Sequence, residues 1–279
     1  MARPHKRPTE DDPATTLADA LLLPGAANKT HELAKEVPVA MVFDGASAAV
    51  MLASPTDISD FAHGFALTEG FITSIDEIAE FELVSHDKGI EARFWLRQDR
   101  SAALAARRRS MAGPIGCGLC GLESLDEAAR DVPVVAPGAL AFTFEELDGA
   151  TEALRSHQPL HDRTRAVHGA GFIQPGAGIV AAREDVGRHN ALDKLFGALF
   201  TQGVDPAGGA VVMTSRLSVE LVQKCAVMGC PVMIAVSAPT AYARNVGEAA
   251  GIMLAAHSHG DGFAVFTHPH RCPALGISP

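Results

Sequence analysis

Apolar and polar positions alternate over residues 37–43 in the pattern of a half-buried β-strand. Asp44-Gly45 follows, which is a strong hairpin signal, and residues 49–52 return as a second strand. A similar pair of strands is predicted within residues 81–96. The first third of the chain therefore contains two predicted hairpins.

A helix is predicted between the two hairpins. Ser54 can cap this helix, and Pro55 is suited to its first position. Gly70 marks its end. One face is apolar at helical spacing and comprises Ile58, Phe61, Ala62 and Phe65. Together with the hairpins, the helix completes a small α+β unit in the order ββαββ.

The pattern changes in the second half of the chain. Residues 167–173 and 178–182 predict paired strands, and residues 186–200 predict a helix. Strands and helices then alternate from residue 211 to a last strand at residues 263–266. These strands are apolar throughout, which is typical of a sheet covered on both faces. A three-layer α/β/α domain is therefore expected.

The predicted fold class is α/β, with a small N-terminal α+β domain followed by the three-layer α/β/α domain. Little pattern precedes residue 30, so the beginning of the chain is predicted to be a flexible tail. The expected divisions are a tail at 1–30, the small domain at 31–110, a cysteine loop with its following helix at 111–130, and the α/β/α domain at 131–279.

Composition narrows the class of protein. Among 279 residues, 47% are hydrophobic, which supports a substantial core. The formal net charge of −10 argues against general nucleic-acid binding. No apolar run is long enough to span a bilayer, and the first residues lack the apolar core of a secretory signal. Five cysteines without regular spacing do not suggest a disulfide scaffold. We therefore expect a cytoplasmic protein with reduced thiols that binds neither nucleic acid nor membranes.

Two cysteines, Cys117 and Cys120, lie in the glycine-rich stretch GPIGCGLCGLE. Residues 123–130 predict a helix, and the free N–H groups near its start would favour a thiolate at Cys120. Because glycines flank both cysteines, such a thiolate would be accessible.

Three interpretations of this pair remain open. A zinc site would need further ligands, which His268, His270 and Cys272 could supply. A dithiol redox pair and a nucleophilic or sulfur-carrying cysteine are the other two. Zinc deaminase chemistry, which occurs on a similar domain, is excluded because no His-x-Glu precedes Cys117.

Polar side chains gather near the start of the helix predicted at residues 186–200. Asp185 is a natural N-cap for it. The neighbouring donors could bind phosphate at the helix N-terminus, or they could form a solvated helix face. They are Arg183, Arg188, His189, Asn190 and Lys194.

Six motifs follow one another in order along the chain. They are SPTDISDFAHGFALTEGFI (54–72), GCGLCG (116–121), RAVHGAGF (165–172), REDVGRHNALDK (183–194), SRLSVELVQKCAVMGCPVMIAVSAPTAYA (215–243) and GFAVFTH (262–268). These motifs strongly resemble those of the FdhD/NarQ family of formate dehydrogenase accessory sulfurtransferases. The resemblance covers most of the chain after residue 30.

The resemblance implies a cytoplasmic sulfurtransferase. Such a protein accepts persulfide sulfur from a cysteine desulfurase and passes it to the molybdenum cofactor, bis(molybdopterin guanine dinucleotide), for use by the formate dehydrogenase apoprotein. The cofactor is then a bound substrate, and no permanent metal is expected. The resemblance also implies that the larger domain is cytidine-deaminase-like and that the protein is a homodimer.

The resemblance further implies roles for individual residues. Cys117 would carry the persulfide and Cys120 would assist, although the helix-terminus argument alone favours Cys120 as the carrier. The residues expected to bind the cofactor are Phe263, Ala264, Val265, Phe266, Thr267, His268, Arg188, His189, Ser215, Ser218 and His168. The alternative function is a dithiol oxidoreductase or zinc-stabilised cofactor chaperone that moves no sulfur.

Overall fold

The computed structural model describes residues 12–24, 27–97, 132–257 and 262–276. Within these ranges, twelve strands form sheets of two, four and six strands. Helices pack against the two larger sheets. The mixed α/β fold class predicted from the sequence is confirmed.

A two-stranded antiparallel ribbon, here called the arm, is formed by β1 (Thr15–Leu22) and β2 (Ala27–Ala34). The arm thus places strands within the first 30 residues, where the sequence predicted a tail. An arginine from the larger domain holds the base of the arm: Arg163 Nη2 contacts Asp12 Oδ2 at 2.6 Å and donates to Thr15 Oγ1 at 2.9 Å. The sequence did not predict the arm, because a ribbon held by one distant arginine needs no alternation of apolar and polar residues.

The small sheet contains the two predicted hairpins, which are confirmed. Its strands are β3 (Val37–Phe43), β4 (Ala46–Ala53), β5 (Ile78–His86) and β6 (Gly89–Leu96), in the order β4-β3-β6-β5. Helix α1 (Ile58–Thr68) covers one face with the apolar side chains predicted for it. The helix begins four residues later than Ser54, however, because Asp57 adopts a left-handed conformation and Ser54 bonds to the larger domain.

The six-stranded sheet has the order β12-β11-β10-β9-β7-β8. Strands β9, β10 and β11 run parallel, and the other neighbours are antiparallel. The strands are β7 (His168–Gln174), β8 (Gly178–Asp185), β9 (Ala210–Leu217), β10 (Val232–Pro239), β11 (Met253–His257) and β12 (Phe263–Val265).

Helices cover both faces of this sheet, so the three-layer arrangement is confirmed. Helices α2 (Phe144–Asp148) and α3 (Ala150–Arg155) pack on one face. Helix α4 (Pro159–Thr164) follows and packs against the arm. The other face is covered by α5 (Arg188–Thr201), α6 (Val219–Val227) and α7 (Ala241–Ala250). Helices α2, α3 and α4 have only five or six residues, which is too few to produce a helical period in the sequence.

Helices α1 and α5 meet backbone to backbone. A Cβ atom at Gly64 would lie 1.8 Å from the carbonyl oxygen of Asp193, and one at Gly197 would lie 1.9 Å from that of Asp60. Both distances are far below van der Waals contact. The two glycines therefore set how closely the small sheet and the large sheet approach each other.

A buried ion cluster lies beside this contact. Lys224 Nζ of α6 donates to Asp193 Oδ1 at 2.9 Å, to Glu69 Oε1 at 2.6 Å and to Thr68 Oγ1 at 2.9 Å. Burial would lower the pKa of Lys224, but the charges of Asp193 and Glu69 outweigh it and the pKa is raised. The lysine thus stays charged and ties three helices together.

Arg271 clamps the chain where it returns after residue 131. Its guanidinium donates to the carbonyl oxygens of Val135, Ala136, Gly138 and Gly251 at 2.6–3.1 Å, with two bonds to Gly251. All five N–H groups of the side chain are thereby satisfied without an acidic partner. The clamp fixes residues 135–138 against the turn between α7 and β11.

Candidate functional site

One edge of the six-stranded sheet collects polar side chains. The parallel strands β9 and β10 both end at this edge. The antiparallel strand β7 begins there, because its residue Ala170 pairs with Met213 near the end of β9. Strand β8 ends there too, because its last residue, Asp185, pairs with His168 at the start of β7. We call it the carboxyl edge. In open α/β sheets, ligands bind outside the carboxyl ends of strands. The edge brings together five of the residues predicted to bind the cofactor: His168, Arg188, His189, Ser215 and Ser218.

His189 lies between the first turns of two helices. Its Nε2 atom is 3.4 Å from Ser218 Oγ and 3.7 Å from Glu220 Oε2. Ser218 occupies the N-cap of α6 but makes no side-chain capping bond there, so its hydroxyl is directed to the histidine. The pKa of Glu220 is lowered to about 2, first by its interaction with His189 and then by Ser218, against the opposing effect of burial. Glu220 is therefore a carboxylate at all ordinary pH values.

Replacing Glu220 with glutamine should lower the free energy of unfolding by roughly 1–2 kcal/mol at neutral pH, allowing for partial exposure. Because the folded pKa of about 2 lies below the ordinary 4.5, this stabilisation is present above about pH 4.5 and is lost as the pH falls toward 2. Urea titrations at a series of pH values would measure it. The two stability curves should converge on acidification, and a constant gap between them would contradict this assignment.

His168 sits at the start of β7 in a region of positive charge. Its pKa is lowered, first by burial and then by the charge of Arg188 and of the protonated forms of His161 and His189. The negative charge of Asp185 opposes these effects but does not outweigh them. The backbone beside His168 is fixed, because Gly169 N donates to Thr214 Oγ1 at 2.9 Å. Ser215, which is also buried there, donates to the carbonyl oxygen of Arg216 at 3.0 Å.

Asp185 is not the N-cap predicted for α5; Gly187 occupies that position. The carboxylate is fully buried and accepts four hydrogen bonds instead. The donors are Ser54 N at 2.9 Å, Gly187 N at 2.8 Å, Asn190 Nδ2 at 3.0 Å and Lys194 Nζ at 2.7 Å. Asp185 therefore joins the end of β4 to the first turn of α5, which carries Arg188 and His189.

Three of the donors expected near the start of α5 bind other groups of the protein and so stabilise the fold. Lys194 is fully buried against Asp185 and also donates to the carbonyl oxygen of Ser54 at 2.9 Å. Asn190 donates to the carbonyl oxygen of Leu52 at 2.8 Å. Arg183 forms an ion pair with Asp60, with Nη2 and Oδ2 2.7 Å apart. All three link the large domain to the small one, which leaves Arg188 and His189 as the members of this group that belong to the carboxyl edge.

The predicted binding segment 263–268 runs from one edge of the sheet to the other. Phe263 pairs with His257 at the carboxyl edge, and Ala264 and Val265 pair with Ala256 and Ala255 along the strand. Phe266 continues this course by donating its N–H to the carbonyl oxygen of Leu254 at 2.8 Å.

The last two residues of the segment reach the opposite edge. Thr267 Oγ1 donates to the carbonyl oxygen of Ile252 at 2.7 Å, before the start of β11. His268 Nε2 lies 2.8 Å from the carbonyl oxygen of Glu248, near the end of α7. The apolar run does not show where the strand ends. The sequence therefore could not predict that Thr267 and His268 lie at the opposite edge of the sheet from Phe263. Their part in binding stays a prediction.

Cys117 and Cys120 lie outside the described residues, so their roles stay predictions. Cys225, Cys230 and Cys272 are buried free thiols, and burial raises the pKa of Cys272 to about 11. Among the residues that the structure describes, no three His, Cys, Asp or Glu side chains are grouped to hold a metal. In the same ranges, every helix is too short or too polar to cross a membrane.

Sequence reasoning missed Glu220 and the bond between Ser54 and Asp185. Glu220 stands two residues after Ser218 at the start of a predicted helix, where an acidic residue is usually explained by the helix dipole. Ser54 is 131 positions from its partner Asp185. No local signal connects residues so far apart.

Known proteins similar to this chain were found by sequence and by structure. The sequence model of the FdhD/NarQ family matches residues 34–273. The "Sulfur carrier protein FdhD" of Agrobacterium fabrum is 50% identical over 237 residues, which is 85% of this chain and 88% of that protein. Its namesake from Bordetella petrii is 42% identical over 273 residues, or 96% of each. A crystal structure of a putative formate dehydrogenase accessory protein from Desulfotalea psychrophila superposes with a TM-score of 0.74 at 23% identity, covering 93% of this chain and all of that one.

Proposed function

The chain belongs to the FdhD/NarQ family, and we propose that it is a sulfur carrier in the maturation of a formate dehydrogenase. Relatives at 42–50% identity over most of their length carry the name sulfur carrier protein. In the finer form of the proposal, a cysteine desulfurase supplies the sulfur and bis(molybdopterin guanine dinucleotide) receives it as a bound substrate.

The observation that carries the cofactor part of the proposal is the chemistry of the carboxyl edge. Arg188 places positive charge there, His168 and His189 offer ring nitrogens, and α6 begins there without a side-chain cap. Glu220 would repel a phosphate, but its charge is directed at His189. The donor set therefore fits an anionic cofactor that carries several phosphates.

Sulfur uptake requires a simple exchange at Cys117. The thiolate of Cys117 attacks the outer sulfur of the desulfurase persulfide, and the S–S bond of the donor breaks. The desulfurase cysteine leaves as a thiolate, and Cys117 gains the persulfide. Cys120 then assists in passing on the outer sulfur. No oxidant or reductant is consumed in the uptake step.

Pre-reduced protein incubated with a cysteine desulfurase and cysteine should gain the mass of one sulfur atom, and reductant should remove it. The gain should be lost in Cys117→Ala, because that residue forms the new S–S bond. Intact-protein mass spectrometry measures it. Cys272→Ala is the matched control and should keep the gain, since this thiol is buried with a raised pKa.

Two outcomes of that experiment would change the proposal. If Cys120→Ala abolished the gain and Cys117→Ala did not, Cys120 would be the carrier. If no form gained sulfur while the desulfurase was active, the chain would bind the cofactor without moving sulfur. A dithiol oxidoreductase or a zinc-stabilised chaperone would then replace the sulfur carrier, and stoichiometric zinc would identify the chaperone.

A further inference from the structure

Two buried thiols lie at the end of helix α6. Cys225 is in the last turn of the helix, and Cys230 follows two residues after the C-cap, Met228. Both side chains are fully buried in the core between the large sheet and the helices on one of its faces. Neither thiol takes part in the proposed function. The chemistry open to them depends on how the fold arranges the pair.

The turn that ends α6 brings the two cysteines together. Cys230 N donates to the carbonyl oxygen of Cys225 at 2.9 Å. Gly229 N donates to the carbonyl oxygen of Ala226 at 3.1 Å. These two bonds define a Schellman motif, in which the side chains at the positions of Cys225 and Cys230 are frequently in contact. Gly229 permits the turn because its φ of 70° lies in the left-handed region.

The backbone hydrogen bond also limits the separation of the two cysteines. Standard bond lengths and angles place an amide nitrogen about 1.5 Å from its own Cα atom and a carbonyl oxygen about 2.4 Å from its own. With 2.9 Å between N and O, the Cα atoms of Cys225 and Cys230 are at most about 6.8 Å apart. A disulfide joins residues whose Cα atoms are about 4.4–6.8 Å apart. The fold therefore holds the pair within the range of a disulfide.

The two thiols differ in acidity. Burial raises the pKa of Cys225 well above its ordinary value, and the interaction with Cys230 adds to this effect. Burial also acts to raise the pKa of Cys230, but hydrogen bonds with the thiol of Cys225 and with the backbone of Val232 and Val211 outweigh it, so the pKa is lowered. The thiolate is the nucleophilic form of cysteine. Cys230 is therefore the nucleophile of the pair, and Cys225 is the thiol that keeps its proton.

We propose that Cys225 and Cys230 are a redox-active dithiol, which hydrogen peroxide converts into a disulfide. The thiolate of Cys230 attacks one peroxide oxygen and becomes a sulfenic acid. The O–O bond breaks, and the other oxygen leaves as hydroxide, which takes up the proton that Cys230 released. The sulfur of Cys225 then forms the S–S bond and displaces the hydroxyl group, which leaves as water with the proton of Cys225. The peroxide gains the two electrons that the sulfur atoms lose.

A short segment of chain separates the pair from solvent. Residues 227–229, which connect the two cysteines at the end of α6, are all partly exposed. The ends of helices open locally at a small cost in free energy, and hydrogen peroxide is small enough to use such an opening. Once formed, the disulfide would fix this turn beside Lys224, which ties α6 to α1 and α5.

Peptide mapping of the full-length protein tests the proposal. Native protein is reduced, freed of reductant, treated with hydrogen peroxide, unfolded in an alkylating agent and digested with trypsin. Cleavage after Lys224 and Arg244 gives a peptide, 225–244, that contains both thiols and no other cysteine. This peptide should lose two hydrogen atoms and take no alkyl group, and reductant should restore both alkylation sites. Cys272 is the matched control and should stay alkylated, because burial raises its pKa and no other described cysteine interacts with it.

Two single variants separate the roles of the thiols. In Cys225→Ser, Cys230 should stop at the sulfenic acid, which a β-diketone reagent traps. In Cys230→Ser, Cys225 should trap none, because its thiol keeps its proton. Equal trapping in the two variants would overturn the assignment of Cys230 as the nucleophile. Circular dichroism checks that both variants are folded.

The measurement on the wild-type chain decides the proposal without the variants. Peroxide treatment of the urea-unfolded protein sets the dose that oxidises peptide 225–244. The proposal is overturned if the native protein keeps both alkylation sites in this peptide at that dose. It is also overturned if the native peptide gains oxygen on its cysteines and forms no disulfide, since the thiols would then react as separate groups.

Discussion

Replacing Asp185 with asparagine should lower the free energy of unfolding by about 3–5 kcal/mol. The variant keeps the shape of the side chain but removes the charge that neutralises Lys194, and both side chains are fully buried. An unpaired ammonium group would then remain in the interior. One carboxylate oxygen would also become an amide nitrogen, which cannot accept the hydrogen bond from Ser54 N or from Gly187 N, and the remaining oxygen would be a weaker acceptor.

Urea unfolding would measure this loss, with Asp87→Asn as the control at an exposed turn. The control should change stability by less than about 0.5 kcal/mol. A double variant, Asp185→Leu with Lys194→Met, should recover part of the loss, since an apolar pair can replace a buried ion pair. It cannot recover all of it, because Ser54 N and Gly187 N remain without acceptors. A single variant as stable as the wild type would show that the ion pair is not closed in solution.

Replacing Gly197 with alanine should destabilise the protein by about 3 kcal/mol or more, at the upper end for overpacking. The new Cβ would lie 1.9 Å from the carbonyl oxygen of Asp60, a backbone atom that cannot turn aside. Helices α1 and α5 would have to separate, and the ion pair between Arg183 and Asp60 would be strained with them.

Gly138→Ala is the matched control for this substitution, because a Cβ atom there meets no heavy atom within 4 Å. Thermal unfolding should show a large fall in Tm for Gly197→Ala and almost none for the control. Gly64→Ala should resemble Gly197→Ala, since it closes the same contact from the other helix. A small effect at both glycines would mean that the two helices lie farther apart than the structure places them.

The sequence predicted the elements whose own residues form the core. Strand β9, for example, is buried on both faces, so its run of apolar residues can be recognised in the sequence without knowing its neighbours in the fold. The arm was missed for the opposite reason: most of its residues are exposed, and its base depends on Arg163, 148 positions from Thr15. An element that buries its own side chains shows a periodic apolar pattern in the sequence. An element held by one distant side chain shows no such pattern.

The sequence predicted which residue types gather at the candidate site, but not which of them face the site and which stabilise the fold. Lys194 and Arg188 stand in the same motif and both could bind a phosphate by their chemistry. Whether a cation faces solvent or a buried carboxylate depends on which residue the rest of the fold brings beside it. For Lys194 that residue is Asp185, which Ser54 of the small domain also binds.

The clamp made by Arg271 implies an order of events during synthesis. Arg271 follows Val135, whose carbonyl oxygen it binds, by 136 positions. At a translation rate of about 5–20 residues per second, roughly 7–27 s separate the two residues as they leave the ribosome. For that time residues 135–138 lack the side chain that fixes them, while β7 to β12 are being made. These residues are therefore fixed only after all six strands of the large sheet have been synthesised.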